Sequence, residues 1–365
     1  MIEYITKEKL AYLAVDSFDF LKTLKKHRIM SIFNNVGDIF DLFKEHYVEL
    51  VNIITQDEFE KMDALISNRE NLKIFFSECK RLDCDFVTYC DDDYPEKLRD
   101  LSEPPFVIYY RGNLKILSGD LILMAGTRFA TNYGMDCARK FTSSFVENEL
   151  YLLSGISDGI DTAIVEKVLE ESGVSVIVAA GGIDSITPVI NSDLAKEVET
   201  NGLVMSEFRP NITAQKYHYV LRNRLLSCLC DVAILIEADV ESNSIGVIDM
   251  AYDFGKEIYA VCGNINNKYS QAPNYLILNQ KANILIEPQQ IIEIFRDQFY
   301  FAPKSVLMLD ETETKICEVL EKKQCHIDEI AEKLELSSGI LIGRLLVLEA
   351  KGKIRKLPAN FYEII

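Results

Sequence analysis

Histidine is scarce in this 365-residue chain, and its cysteines follow no metal-binding pattern. The four histidines are widely separated, at His27, His46, His218 and His326. A metal site or a histidine-based catalytic relay therefore has little to be built from. The nine cysteines are an odd number, and the nearest pair, Cys228 and Cys230, has no further Cys or His at zinc-like spacing. We interpret the cysteines as reduced structural thiols and expect neither a metal nor another cofactor.

Long apolar runs and a cleavable leader are also missing. No run approaches the ~20 residues that a membrane-spanning helix needs. The N-terminus has no basic head before an apolar stretch, as a signal peptide would have. We therefore expect no membrane partner and a cytoplasmic protein.

Positive charge is in deficit, because 39 Lys and Arg against 57 Asp and Glu give a net charge of −18. Such a charge argues against indiscriminate adhesion to nucleic acid, although it does not exclude a local basic pocket. The phosphate loops of common nucleotide enzymes are missing as well. The chain has no Gly-x-x-x-x-Gly-Lys-Ser/Thr motif, and no Gly-x-Gly-x-x-Gly follows its first core strand.

The chain does contain an alternation of short apolar strands and helices over residues 121–287, which is typical of a parallel α/β sheet. Glycine-rich turns follow the strands, notably Gly126-Thr127-Arg128 after residues 121–125 and Gly155 to Gly159 after residues 150–153. Amides at a helix start attract anions, and glycine lets the backbone approach a ligand closely. These turns predict an anion-binding crevice at the carboxyl ends of the strands. Asp161 and Asp184 are interpreted as a helix N-cap and a turn residue, not as a catalytic pair.

Three domains are predicted around this core. Residues 1–89 have helical spacing of apolar side chains and form a domain of the SAM or helix-hairpin-helix kind. Residues 90–300 are predicted to form an extended Rossmann-like domain, and residues 310–365 have the helix and hairpin order of a winged helix. The fold class is therefore α/β, with an extended Rossmann-like parallel sheet core, a helical N-terminal domain and a C-terminal winged helix.

Three local features of the flanking regions carry predictions of their own. The turn at residues 35–38 is interpreted as a scaffold turn rather than a grip on a DNA backbone. The amphipathic helix near residues 288–299 is a candidate oligomer or domain-packing surface. In the winged helix, Ser337 and Ser338 are predicted to cap a third helix that ends near Ala350.

A basic and aromatic cluster stands out against the acidic background. Its residues open the helix that follows the fourth core strand and are Lys216, Tyr219, Arg222, Asn223 and Arg224. Lys216 and Tyr219 are three positions apart and can share one helix face, where a cation and a ring could hold a phosphate and a base. Arg222 and Arg224 point to different sides, so that one of them could instead pair internally with Glu207 or Glu237.

The order of these motifs resembles the DNA-processing protein A family, also called DprA or Smf. The resemblance spans nearly the whole chain and is carried by the following segments: Tyr94-Pro95, Pro104-Pro105, Tyr110 to Leu114, Gly126-Thr127-Arg128, Ser154-Gly155 to Asp161, Gly182-Ile183-Asp184, Ser206-Glu207 and Arg222-Asn223-Arg224. The chain departs from the family pattern at later positions, including Asn243, Ala272 and Gln280.

The resemblance implies a non-enzymatic protein that protects incoming single-stranded DNA and loads the RecA recombinase during natural transformation. The implied partners are single-stranded DNA, RecA, a second copy of the chain and single-strand-binding protein. DNA would contact Gly126, Thr127, Arg128, Gly155, Gly159, Lys216, Tyr219, Arg222, Asn223 and Arg224. Two alternatives stay open, a nucleotide-binding Rossmann-like enzyme and an adaptor protein that does not bind DNA.

Overall fold

The computed structural model describes residues 6–67, 77, 79–299, 311–334, 336, 341–345, 348, 354–357 and 360–364. By contacts the chain divides into two compact units, Met1–Glu293 and Ile294–Ile365. The finer boundaries predicted from the sequence, at residues 89/90 and 300/310, remain predictions. Within the described residues, no helix is both long and apolar enough to cross a membrane.

Short helices form the N-terminal part of the first unit. They are α1 (Lys7–Asp16), α2 (Thr23–Met30), α3 (Ile39–Leu42), α4 (Tyr47–Leu50) and α5 (Gln56–Ser67). Their buried apolar side chains share one core with Val107 and Tyr109 of the following sheet. The Thr6 side chain caps α1 by accepting a hydrogen bond from the backbone of Lys9.

The turn at residues 35–38 is held by contacts within the chain. The Asn35 side chain accepts a hydrogen bond from the Gly37 amide at 2.9 Å. Lys7 of α1 forms ion pairs with Asp38 and Asp41, which flank the turn. These contacts are those of a scaffold turn.

A nine-stranded sheet forms the centre of the first unit. Its strands are β1 (Asp85–Thr88), β2 (Val107–Gly112), β3 (Leu121–Ala125), β4 (Tyr151–Ser154), β5 (Ser175–Val178), β6 (Leu203–Ser206), β7 (Val232–Leu235), β8 (Glu257–Val261) and β9 (Asn283–Leu285). The spatial order is β1-β2-β6-β5-β4-β3-β7-β8-β9. The seven strands from β6 to β9 in this order are parallel to one another. The strand β2 pairs antiparallel with β6, and β1 pairs antiparallel with β2.

Helices follow the sheet strands in chain order. They are α6 (Glu96–Arg99), α7 (Asn132–Glu147), α8 (Ile160–Glu170), α9 (Ser192–Asn201), α10 (Lys216–Leu229), α11 (Asn243–Asp253), α12 (Gln271–Leu278) and α13 (Gln289–Phe299). The central strands β3 and β7 are buried along their whole length, which explains why they are continuous apolar runs in the sequence. The chain adds β4, β5 and β6 on one side of β3 and then crosses to β7 on the other side. The topological switch point, where ligands bind in open α/β sheets, therefore lies between β3 and β7.

The second unit has the order of a winged helix. Within the described residues it contains α14 (Glu311–Lys322), β10 (Cys325–His326), α15 (Ile327–Leu334), β11 (Ile354–Leu357) and β12 (Phe361–Ile364). Its three strands form an antiparallel sheet in the order β10-β12-β11. The predicted fold class is thus confirmed, while the predicted cap at Ser337 and Ser338 and the helix end at Ala350 lie outside the described residues.

The amphipathic helix predicted near residues 288–299 is α13. Its apolar residues Ile291, Ile292 and Phe295 are buried within the chain. Its role as an oligomer or domain-packing surface remains a prediction.

Candidate nucleic-acid interface

A cavity of about 70 Å³ opens at the switch point, beside the carboxyl ends of β3 and β4. Apart from its apolar residues, its lining comes from two turns and three helices and consists of Gly126, Arg128, Gly155, Ser157, Asp161, Tyr219, Arg222, Asn223, Asn243 and Ser244. The two glycine-rich turns predicted to face one sheet edge do meet here. The cavity lining carries two guanidinium groups and one carboxylate, so that its formal charge is +1 in a chain of net charge −18.

The turn after β3 is fixed by hydrogen bonds from several sides. The Thr127 amide donates to the Glu237 carbonyl at 2.6 Å, and the Ser244 hydroxyl donates to the Gly126 carbonyl at 2.6 Å. The Thr127 carbonyl accepts from the Ile160 amide at 3.3 Å. Arg128 is exposed at the end of this fixed turn, and its guanidinium carbon lies 5.9 Å from the centre of the Tyr219 ring.

The helix start behind this turn is already occupied by an anion, which corrects one part of the sequence analysis. Glu237 is 1% exposed, and its carboxylate accepts hydrogen bonds from the Thr131 amide at 2.9 Å and from the Thr131 hydroxyl at 2.8 Å. Thr131 is the N-cap of α7. A Cβ at Gly134 would lie 2.3 Å from Oε2 of Glu237, so this glycine leaves room for the carboxylate. The start of α7 therefore already has a buried carboxylate beside it, which disfavours an external phosphate at this position.

Gly155 makes room for the guanidinium of Arg222. A Cβ at Gly155 would lie 1.7 Å from Nη1 of Arg222. Arg222 is only 5% exposed; its Nη1 donates to the Val178 carbonyl at 3.1 Å, and its Nε donates to the Asn223 side chain at 3.2 Å. Burial lowers the pKa of Arg222 from its ordinary value, and the nearby carboxylate of Asp161 opposes this change. The strand-end glycine thus allows a buried cation to lie beside the backbone of β4.

Asp161 supplies the negative charge of the cavity. It lies in the first turn of α8 and accepts a hydrogen bond from the Ser157 amide at 3.1 Å. The predicted N-cap role was wrong by two positions, because the N-cap is Gly159, whose φ of 78° suits glycine. Burial raises the pKa of Asp161, and the cations Arg222 and Arg128 oppose this rise. Asp184 accepts from the Asn211 amide at 2.8 Å and is a turn residue, as predicted.

Tyr219 lies within cation–π range of both cavity arginines. The guanidinium carbon of Arg222 is 5.8 Å from the ring centre, close to the 5.9 Å found for Arg128. The ring belongs to α10, whose first residue is Lys216. Lys216 is exposed and does not line the cavity. The predicted clamp of Lys216 and Tyr219 therefore has its ring at the cavity and its cation at the helix start.

Arg224 has a different environment from Arg222. Its guanidinium forms an ion pair with the buried carboxylate of Glu207, and its Nη1 donates to the Glu103 carbonyl at 2.8 Å. The internal pairing considered from the sequence is thus formed, with Glu207 and not with Glu237. Burial raises the pKa of Glu207 to about 7, and Arg224 opposes this rise. Arg224 does not line the cavity.

Three further cavity residues, Ser157, Asn243 and Ser244, were not predicted as site residues. Ser157 follows β4, and the other two open α11 after β7, where Ser242 is the N-cap. The rule that ligand loops follow parallel strands could have found them. Elsewhere in the described part of the chain, no group of three or more His, Cys, Asp or Glu side chains is arranged to hold a metal ion.

Comparison with known proteins assigns both units. The family model of DNA recombination-mediator protein A matches residues 85–296, and the DprA winged helix domain matches residues 302–360. DNA processing protein DprA of Streptococcus pneumoniae is 30% identical over 268 residues, covering 71% of this chain and 86% of that protein. Protein Smf of Escherichia coli is 27% identical over 281 residues, covering 74% of this chain and 75% of that protein.

Solved structures of relatives have the same fold. The X-ray structure of DprA from Streptococcus pneumoniae has a TM-score of 0.68 at 24% identity, covering 79% of this chain and 98% of that one. DNA processing protein A from Helicobacter pylori has a TM-score of 0.53 at 24% identity, covering 59% of this chain and 97% of that one. The family indicated by the sequence motifs is therefore confirmed, and this chain belongs to the DNA recombination-mediator protein A family.

Proposed function

We propose that the chain binds single-stranded DNA with little sequence preference, and that the cavity between β3 and β7 is the main contact. The observation that carries the proposal is the convergence of two guanidinium groups on one tyrosine ring at this edge of the sheet. Guanidinium groups pair with phosphates, and an aromatic face stacks a base of any sequence. A single-stranded DNA binding mode has been described for the Helicobacter pylori relative, which supports the same ligand class here.

The roles of the cavity residues follow from their chemistry. Exposed Arg128 would contact an incoming phosphate first, and Asn223 would donate a second hydrogen bond from its side-chain amide. Arg222, which is held by the Val178 carbonyl, would supply a fixed positive charge behind them. Tyr219 would then stack the base next to that phosphate. Arg224 would act indirectly, by holding the middle of α10 through its pair with Glu207.

The cellular role that we propose is protection of incoming single-stranded DNA and loading of the RecA recombinase during natural transformation. We further propose that the chain acts as a homodimer without catalytic activity, and that single-strand-binding protein is a further partner. RecA filament growth on strands coated with single-strand-binding protein, measured with and without the chain, tests the loading role. Equal growth rates in both reactions would contradict it.

The DNA-binding proposal is tested by Arg128→Ala in the full chain. A charge-assisted hydrogen bond contributes about 1.5–3 kcal/mol, so we expect binding to a poly-thymidine strand to weaken about tenfold or more at one fixed salt concentration. Arg139→Ala is the matched control, because Arg139 lies on α7, the helix that follows Arg128, and pairs with Glu166 instead of lining the cavity.

A third variant tests the winged helix as the rival site. Arg355 of β11 is exposed and already forms an ion pair with Glu363, so Arg355→Ala should change binding by less than about fivefold. If Arg355→Ala weakens binding as much as Arg128→Ala does, the cavity is not the main site.

A further inference from the structure

Phe129 is the most exposed aromatic side chain among the described residues, at 74%. It directly follows Arg128, which lines the cavity. Phe129 does not itself line the cavity, but an exposed ring next to a cation of the candidate site can contact a ligand that is bound there. The sequence motifs described above do not include Phe129.

The backbone that carries Phe129 is fixed, so the ring is presented by a defined turn. The Phe129 amide donates to the Thr127 hydroxyl at 3.2 Å, and Thr127 is itself buried. On the other side, a Cβ at Gly159 would lie 2.7 Å from the Arg128 carbonyl oxygen, which shows how closely the α8 start supports this turn. A turn supported in this way loses little conformational freedom when its side chain binds a ligand.

The neighbours of Phe129 favour a nucleic-acid base over an apolar protein surface. Arg128 projects from the adjacent position, and its guanidinium lies near a second aromatic ring, Tyr219. Arg128 thus has a half-buried ring near it in space, Tyr219, and an exposed ring next to it in sequence, Phe129. Cations and aromatic rings together are the composition of a groove that binds single strands. An apolar protein partner would have to bury the cation of Arg128 along with the ring, which is costly without a paired carboxylate.

We infer that Phe129 is a second stacking residue, which holds a base adjacent to the one on Tyr219 when single-stranded DNA is bound. This inference rests on the proposed function. It adds a site residue and a site size of at least two consecutive nucleotides, with the phosphate between them on Arg128.

The test compares two strands of equal length, a poly-thymidine strand and an abasic strand that keeps every phosphate but has no bases. Phe129→Ala should weaken binding to the poly-thymidine strand about five- to a hundredfold and leave the abasic strand unchanged. Phe129→Leu should behave like Phe129→Ala, because it keeps apolar bulk but lacks a ring face. Phe129→Trp keeps a ring face and should bind like the wild type. Phe254→Ala is the matched control, since Phe254 is 43% exposed at the far end of α11, the helix whose start lines the cavity.

The outcomes separate this inference from the proposed function. Stacking by Phe129 is wrong if Phe129→Ala weakens binding to both strands equally or leaves binding to both unchanged. It is also wrong if the substitution changes the mass of the protein in sedimentation instead of its affinity for DNA. Arg128→Ala should weaken binding to both strands, because both carry phosphates. If Arg128→Ala changes binding to neither strand, the proposed function itself fails, whatever the result for Phe129→Ala.

Discussion

Gly155→Ala should damage the cavity although it replaces none of the charged residues there. The backbone of Gly155 lies outside the left-handed region, so the alanine is opposed by space alone. Its Cβ would lie 1.7 Å from Nη1 and 2.5 Å from Cζ of Arg222, whereas ordinary contact begins at 3.4 Å. The guanidinium must therefore move by about 1.7 Å, which breaks its 3.1 Å hydrogen bond to the Val178 carbonyl.

The size of the effect follows from the group that is displaced. A hydrogen bond from a charged donor contributes about 1.5–3 kcal/mol, so the free energy of unfolding should fall by that amount. Affinity for a poly-thymidine strand should fall about tenfold or more, because the fixed charge of Arg222 leaves its position beside β4. Both changes come from one steric conflict and should therefore appear together.

Urea unfolding and fluorescence anisotropy on the same preparation measure the two quantities. Gly246→Ala is the matched control, because Gly246 lies in α11 near the cavity, and a Cβ there would meet no atom within 4 Å. That variant should be more stable by up to about 1 kcal/mol, through helix propensity, and should bind DNA like the wild type. If folded Gly155→Ala binds DNA as tightly as Gly246→Ala does, then Arg222 does not contribute to binding and our account of the cavity is wrong.

Two further predictions concern the buried carboxylates. Burial raises the pKa of Asp161, so protonation removes the negative charge of the cavity as the pH falls through that raised value. The affinity for DNA should therefore rise on acidification. Asp161→Asn should bind DNA more tightly than the wild type at neutral pH, and its affinity should not depend on pH in this way. The pKa of Glu207 is raised from 4.5 to about 7, so the folded chain binds more protons than the unfolded chain between these two pH values. This difference should stabilise the folded chain by about 3 kcal/mol below pH 4.5, and the stabilisation should be lost as the pH rises to 7. Urea unfolding across this range should show the slope in the wild type and in the surface variant Glu166→Gln but not in Glu207→Gln, and an unchanged slope in Glu207→Gln would assign it to another group.

The parallel core could be predicted because its strands are continuous apolar runs with glycine at their ends, as in the passage from β3 to Gly126. The sequence analysis missed β1, which falls on the helical side of the predicted boundary at residues 89/90 and pairs with β2. Its four residues, Asp85 to Thr88, include one exposed and one half-buried position and give no apolar run. This segment is a strand because it pairs with β2, and such pairing cannot be read from the local sequence of β1.

The site was predicted as a set of residues but not as an arrangement. Arg222 and Arg224 are two positions apart on α10, and helix geometry separates them, as the sequence analysis expected. Which of the two would pair internally depended on how Glu207, at the end of β6, lies against α10 in the folded chain. The occupation of the α7 start by Glu237 depended in the same way on β7 lying next to β3. Contacts between distant segments decide both outcomes, and spacing along one helix cannot show them.

The buried carboxylate of Glu237 has a consequence for ligand selectivity. In sheets of this kind the helix after the first strand commonly binds the diphosphate of a free nucleotide through its first amides. Here a tethered anion competes for that position, and tethering gives it an effective concentration of about millimolar or more. A mononucleotide would have to displace this internal competitor at every encounter, whereas a polymer can be held by phosphates and bases along its length without entering that position. We therefore expect the carboxylate at the α7 start to disfavour small phosphorylated metabolites relative to an extended strand.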